Sequence, residues 1–225
     1  MIGATEYTVD ECVRLAPRET AAGHKFTDPD LTPGDLRSVR VMLGEIRRRV
    51  ASAASLPPEP RPLVLEGREA DGRVHRTVVC DERRLADGED LTWVGFFAMR
   101  RRDRDHAPLT LRDDELIQEF PAHPGILSYS SLELTDGDWG NLILLDGAEA
   151  REHWRTSARH ADAVRELAPR HYTDVRVHQG VLAGGVLAAR EPLLRRTKYY
   201  DYRGGATWRA EREWIPDAGA PRVAG

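Results

Sequence analysis

Residues 126–145 read ILSYSSLELTDGDWGNLILL. Two apolar runs, Ile126–Leu134 and Trp139–Leu145, flank Asp136-Gly137-Asp138. Asp-Gly between apolar runs is a strong turn signal, so the stretch predicts two strands joined tightly. Upstream, TLRDDELIQEF places Leu116, Ile117 and Phe120 at helical spacing and Asp113 and Asp114 in the first turn, where carboxylates face the positive end of a helix. Pro124-Gly125 stops that helix. Before it, LTWVGFFAMR (Leu91–Arg100) is apolar on both faces, as a central strand is. After the hairpin, Asp146-Gly147 leads into a long helix over Ala148–Ala168, and Tyr172–Ala183 is a strand ended by Gly184-Gly185.

The order is β(91–100), α(110–121), β(126–134), β(139–145), α(148–168), β(172–183). This βαββαβ pattern is the ferredoxin-like arrangement of an α+β fold. Around it lie two additions. Residues 1–27 read as an irregular arm with a short helix near Val9–Leu15. Thr32-Pro33 caps a helix whose Leu36, Val39, Leu43, Ile46 and Val50 recur at three and four residues, running to about Ala54. The proline-rich connector Leu56–Pro62 follows, then a hairpin, Leu63–Glu69 with Arg73–Cys80, around Asp71-Gly72. At the other end TKYYDYR (Thr197–Arg203) reads as extended, with Trp208 and Trp214 beyond. The expected organisation is an N-terminal helix and hairpin extension over 1–85, a ferredoxin-like domain over 86–190, and an aromatic tail over 191–225.

Of the chain's 225 residues, 40% are hydrophobic and 31% charged, enough for a core. No apolar run approaches the ~18 residues of a spanning helix, and no secretory signal is visible. A cytoplasmic protein without membrane or nucleic-acid partners is expected, since the net charge is -4. Lys25 and Lys198 are the only lysines among 33 cationic residues, which leaves 33 − 2 = 31 arginines, the mark of a high-GC genome of the actinobacterial kind. Cys12 and Cys80 have neither disulfide-framework nor zinc spacing. There is no P-loop, GxGxxG, GxSxG or HExxH, so nucleotide-dependent chemistry is not expected.

From the Pro124-Gly125 turn through the hairpin to Glu149-Ala150 and His153-Trp154-Arg155-Thr156-Ser157-Ala158-Arg159-His160, the last ~135 residues resemble the dimeric α+β-barrel superfamily of antibiotic-biosynthesis and haem-degrading monooxygenases. An aromatic, then Ser, then His three residues later on the second helix carries the likeness. The resemblance implies a homodimer in which two four-stranded sheets close a barrel, with a small-molecule site between sheet and helices.

The candidate catalytic residues are His160, His153 and His178. His153 and His160 lie seven apart on one predicted helix, on one face, and a histidine can move a proton at neutral pH. Their alternative role is that of boundary residues. Alternation puts Asp174, Arg176 and His178 on one strand face, lining either a polar pocket or a dimer contact. Trp93, Phe97, Tyr129, Trp139 and Trp154 are candidate pocket walls or plain core, with Asn141 a polar anchor and Arg176 a substrate-binding group. His106 and His123 read as solvated, and the Arg100–Arg104 run as an exposed loop at which an anion could dock. Tyr199, Tyr200 and Tyr202 should pack over an interface or lid the pocket.

The function expected is a biosynthetic monooxygenase acting on an aromatic or polyketide-like molecule, with a histidine base, no metal and no favoured cofactor. The alternatives are a haem enzyme with His160 or His153 as axial ligand, a non-oxidative cyclase or lyase, and the ligand-binding domain of a regulator. For the last, no second helix at helix-turn-helix spacing is seen.

Overall fold

The computed structural model describes residues 12–53 and 62–214. The predicted connector and the Val9–Glu11 part of the predicted arm helix lie outside the described residues, except Pro62. Nine strands form one sheet in the order β1 (Val13–Leu15), β9 (Trp208–Glu213), β8 (Leu193–Asp201), β7 (Tyr172–Leu182), β4 (Leu91–Arg100), β6 (Trp139–Leu145), β5 (Ile126–Glu133), β3 (Val74–Val79), β2 (Leu63–Arg68). β1 runs parallel to β9, and every other neighbouring pair is antiparallel. Among the described residues six α-helices complete this α+β fold: α1 (Thr32–Ala53), α2 (Glu82–Ala86), α3 (Ala107–Glu119), α4 (Gly147–Trp154), α5 (Ala158–Asp162) and α6 (Ala168–His171). β4, apolar on both faces, is the fifth of the nine strands, as its composition predicts.

Both predicted additions belong to the same sheet. β2 and β3 extend one side through the pairing of β3 with β5, and the aromatic tail supplies β8 and β9 on the other side. Residues 13–15 are strand rather than helix, paired with Ala210–Arg212. The arm is tied down by Arg212, fully buried, which donates to the carbonyls of Ala16, Glu19 and Thr27 and to the Tyr199 hydroxyl at 2.5 Å. Three carbonyl dipoles and a phenol thus stand in for a carboxylate.

α1 lies on one face of the sheet. Its stripe of Leu36, Val39, Leu43, Ile46 and Val50 is at most 5% exposed and packs with Trp93, Phe97, Leu132, Leu142 and Leu144. A 22-residue helix is about 33 Å long, enough to cross most of these strands. Trp93 and Phe97 are therefore core beneath α1, and not the walls of a pocket. A second sheet packed on this face, as a dimeric barrel requires, would have to displace α1 and expose that stripe.

The start of α1 is fixed by charge. Arg176 grips Asp35 with two nitrogens at 2.6 and 3.0 Å, and His178 Nε2 lies 2.8 Å from the same carboxylate. The Trp214 indole donates to Thr197 Oγ1 at 2.8 Å, and that hydroxyl stands 2.8 Å from His178 Nδ1. An Nε2–H tautomer satisfies the whole chain of bonds: indole to hydroxyl, hydroxyl to Nδ1, Nε2–H to carboxylate. Asp174, Arg176 and His178 do share a face, and the last two meet this chain's own helix, while Asp174 accepts from the Thr173 hydroxyl. His178 is fully buried with both nitrogens engaged, so it is neither open to substrate nor a catalytic base. Burial alone would raise the Asp35 carboxyl, but the His178 and Arg176 contacts outweigh it and hold the carboxyl below its usual range.

The predicted long helix is broken. Arg155–Ser157 leave the helical path, and Ser157 caps α5 by accepting the His160 N–H at 3.1 Å. Residues 163–167 form a π-helical turn directly before Pro169, whose missing N–H interrupts the ladder. Among the described residues no helix is long and apolar enough to cross a membrane.

Asp35→Asn leaves Arg176 buried without its counter-charge and should destabilise the chain by about 3–5 kcal/mol, read from urea midpoints at pH 7. Because the folded carboxyl is depressed, its contribution is present above the unfolded value of about 3.9 and is lost as pH falls through the folded value. The gap between wild type and D35N should therefore narrow below about pH 4.

Candidate functional site

The sheet divides the predicted site residues into two groups. His178, Arg176, Trp93 and Phe97 lie on the α1 face. Tyr129, Asn141 and Trp139 lie on the opposite face, which α3 to α6 cover, and His153, Trp154 and His160 lie in that helix layer. Nothing joins the two groups through the sheet.

In the helix layer, two imidazoles flank one indole and a third lies beside one of them. His123 lies 4.9 Å and His160 5.1 Å from Trp154, ring centre to ring centre, and His153 lies 5.1 Å from His123. Glu119, two residues before the predicted end of the first helix, links His123 to the start of α5. It receives Ser157 Oγ at 3.1 Å and stands 3.2 Å from His123 Nε2. His123 is 8% exposed, a buried seam residue and not the solvated one expected. His160 and His153 do not share a continuous helix, because the break at Arg155–Ser157 lies between them. Burial first, then the charge of Arg155, lowers the His160 imidazole and keeps it neutral at pH 7. Its ring neighbour is Trp154, so it belongs to the seam between α3, α4 and α5.

The other group sits on a face that the helices leave partly open. Val94, Phe96, Asn141, Ile143, Val177 and Gln179 on the three central strands are half-buried. Their neighbours on the α1 face, Trp93, Phe97, Leu142, Leu144 and His178, are 0–1% exposed. On this open face Tyr129 donates to Asp113 of α3 at 2.5 Å. The Asp113 side chain is 28% exposed and also lies 3.5 Å from Arg76, which bonds Asp114 at 2.6 Å. Burial, the largest effect, raises the Asp113 carboxyl above its ordinary range against the Tyr129 hydrogen bond and the Arg76 charge. Burial and then Asp113 drive the Tyr129 phenol well above 10.

Phe96 meets Tyr172 edge to face at 5.6 Å, and burial pushes the Tyr172 phenol up to about 12. Asn141, opposite Ser131 and Phe96, has a buried Oδ1 with no hydrogen-bond partner. It lies two residues from Trp139 on β6, and its pairing partner Ser131 is two residues from Tyr129 on β5. On the outer flank of α3 a pocket of about 470 Å³ is lined by Pro62, Val64, Arg76, Asp114, Ile117 and Gln118; it holds no aromatic residue.

The chemistry available on the open face is proton transfer. A carboxyl raised by burial is a better base than an exposed one, and a phenol bonded to it can pass or hold a proton. Among the described residues, no group of three or more His, Cys, Asp or Glu is placed to hold a metal ion. Asp113, Phe96 and Tyr172 escaped the sequence reading. One signal did exist for Asp113: it precedes Leu116 and Ile117 by three and four residues and Phe120 by seven, so an acid sits on the apolar stripe of its helix.

No family model matches the chain, and no curated protein matches it. Among solved structures, protein SO0527 from Shewanella oneidensis is similar over 43% of this chain and 95% of its own, with 14% identity and a TM-score of 0.36. A likeness of that size carries no argument about this chain.

A raised carboxyl has a consequence for stability. Its folded value lies above the unfolded value of about 3.9, so the folded state is favoured below that pH and loses this contribution as pH rises through the folded value. Asp113→Asn abolishes the titration. Its denaturation midpoint relative to wild type should therefore climb as pH rises from about 4, measured by urea unfolding at a series of pH values.

Proposed function

We propose that the chain is a small-molecule biosynthetic enzyme of the monooxygenase kind, with its substrate bound on the helix-covered face of a ferredoxin-like unit. The unit is read from the strand order β7-β4-β6-β5, all antiparallel, with α3 between β4 and β5 and α4 to α6 between β6 and β7. The observation that carries the reading is one constellation: Asp113 hydrogen-bonded to Tyr129, and the partnerless Asn141 oxygen, among Phe96, Tyr172 and Trp139. An aromatic or polyketide-like molecule suits walls of this kind, since such pockets are mainly apolar with a few polar anchors.

In the proposed reaction an acidic C–H of the substrate gives its proton to Asp113, while the Tyr129 hydroxyl donates to the oxygen of the resulting enolate or phenolate and Asn141 Oδ1 accepts from a hydroxyl group of the substrate. Dioxygen is the second substrate. The carbanion passes electrons to it and the carbon–oxygen bond forms; protonation and loss of water then turn a CH2 group and O2 into a carbonyl and H2O. Asp113 replaces the histidine base expected from the sequence, because His160 and His153 stand in the helix seam, away from the strand aromatics. Haem, with His160 or His153 as axial ligand, stays the alternative, and a saturable spectral change on titration with haemin would favour it. A homodimer stays an expectation, to be met by light scattering at twice the chain mass, and α1 directs it to a surface other than the face it covers. A cytoplasmic location is likewise an expectation.

The test uses an oxygen electrode and anthrone, an enolisable aromatic ketone. Oxygen uptake above the uncatalysed rate is expected. D113N should lower it by about 10²–10⁴-fold, the usual worth of a positioned base. Y129F should lower it less, and H160A should leave it within about threefold. Turnover that proceeds equally without oxygen would move the reading to a cyclase or lyase, and no turnover of enolisable aromatics would remove it.

A further inference from the structure

We propose that Arg100, lying over Trp139, is an anion receptor at the edge of the open face, and that the aromatic ligand bound there carries a carboxylate. This rests on the proposed site but concerns what that site recognises.

Arg100 ends β4 and shares the open face with Phe96, four residues earlier. Its guanidinium carbon lies 5.4 Å from the centre of the Trp139 ring. The residue is half-buried, and its Nε is buried with no hydrogen-bond partner. The carboxylates near it are engaged elsewhere. Asp138 accepts the backbone N–H of Arg100 at 3.0 Å and the Arg102 guanidinium at 3.0 Å, while Glu133 accepts the Val74 N–H at 3.0 Å. Other shielded arginines all have oxygen partners: Arg176 holds Asp35, Arg76 holds Asp114, Arg203 holds Asp201, and Arg212 holds three carbonyls and a phenol.

Among the described residues Arg100 therefore stands apart as a partly desolvated cation with an aromatic surface and no bonded anion. Leaving such a charge unpaired is unfavourable, and burial is what weighs most against its protonated form. A planar fork stacked on an indole is pre-organised for a planar, two-oxygen partner. Two more nitrogens without partners lie at this end of the sheet, His106 Nδ1 and His171 Nδ1, on rings 5.9 Å apart. They flank the Arg101–His106 connector, whose first N–H bonds the His171 carbonyl at 2.8 Å. The ring of the ligand would lie toward Phe96, Tyr172 and Asn141, and its carboxylate toward Arg100.

The test compares 1-hydroxy-2-naphthoate with 1-naphthol, which differ by the carboxylate, in calorimetric titrations of the full chain. Wild type is expected to bind the naphthoate about tenfold or more tightly than the naphthol. R100Q should abolish this preference while leaving the affinity for 1-naphthol unchanged, which also shows that the face is intact. R100K should keep part of it, since the charge remains and the fork does not.

Equal affinities in wild type, an undiminished preference in R100Q, or saturable binding of neither compound would overturn the receptor. The two proposals fail separately. A preference lost in R100Q without oxygen uptake on any aromatic removes the oxygenase and leaves the receptor. Oxygen uptake with no anion preference does the reverse.

Discussion

A carboxylate on the first turn of α1 is shared between the guanidinium of Arg176 and the imidazole of His178, both on β7. Each of the three is shielded from water, so none is tolerable alone, and together they are satisfied. This contact joins α1 to the middle of the sheet and sets where its apolar stripe lands, across β4, β6 and β5. Once α1 is there, that face is closed to ligands and to a second sheet. The other side lies under a helix layer that is shorter, interrupted, and incomplete over the central strands.

The interruption itself follows from a small number of atoms. Ser157 accepts the His160 N–H and donates to Glu119 of α3, so one hydroxyl both starts α5 and links it to the helix beside it. Around that link His123, His153, Trp154 and His160 pack as a seam. Residue types that suit proton transfer gather there, yet what they do is join helices. Asp113 differs: burial leaves its carboxylate less stable than it would be in water, and the Tyr129 hydroxyl only partly offsets that.

Much of the central strand pattern was legible in the sequence, because alternation and Asp-Gly turns are local signals. β6 has the predicted boundaries, and β4, β5 and β7 are within a residue of theirs. The additions were harder. Whether a hairpin or an aromatic tail lies apart or joins a sheet edge depends on contacts between residues far apart in the chain, and no periodicity records them. The break near Ser157 was signalled only by one capping side chain in an otherwise helical run.

Two of the decisive carboxylates left the same trace. Asp35 lies four residues before Val39, and Asp113 four before Ile117, so each falls on the apolar stripe of its helix, where a charged residue is out of place unless something meets it. Their partners, on β7 and β5, could not be read from the helix alone.

The pairing of β1 with β9 brings Val13 beside Ala210, which are 210 − 13 = 197 positions apart. Closing a loop of that size costs entropy that rises with its logarithm, by roughly 0.6 kcal/mol per doubling. Only three residues of β1 share in the ladder, so much of the compensation comes from Arg212 with the carbonyls around it, from His24 on Asp201 and Trp208, and from the cluster of Leu15, Phe26, Tyr199 and Ala210. This edge is thus the part of the sheet with the highest contact order, a place where assembly waits for nearly the whole chain to be made and where opening would begin.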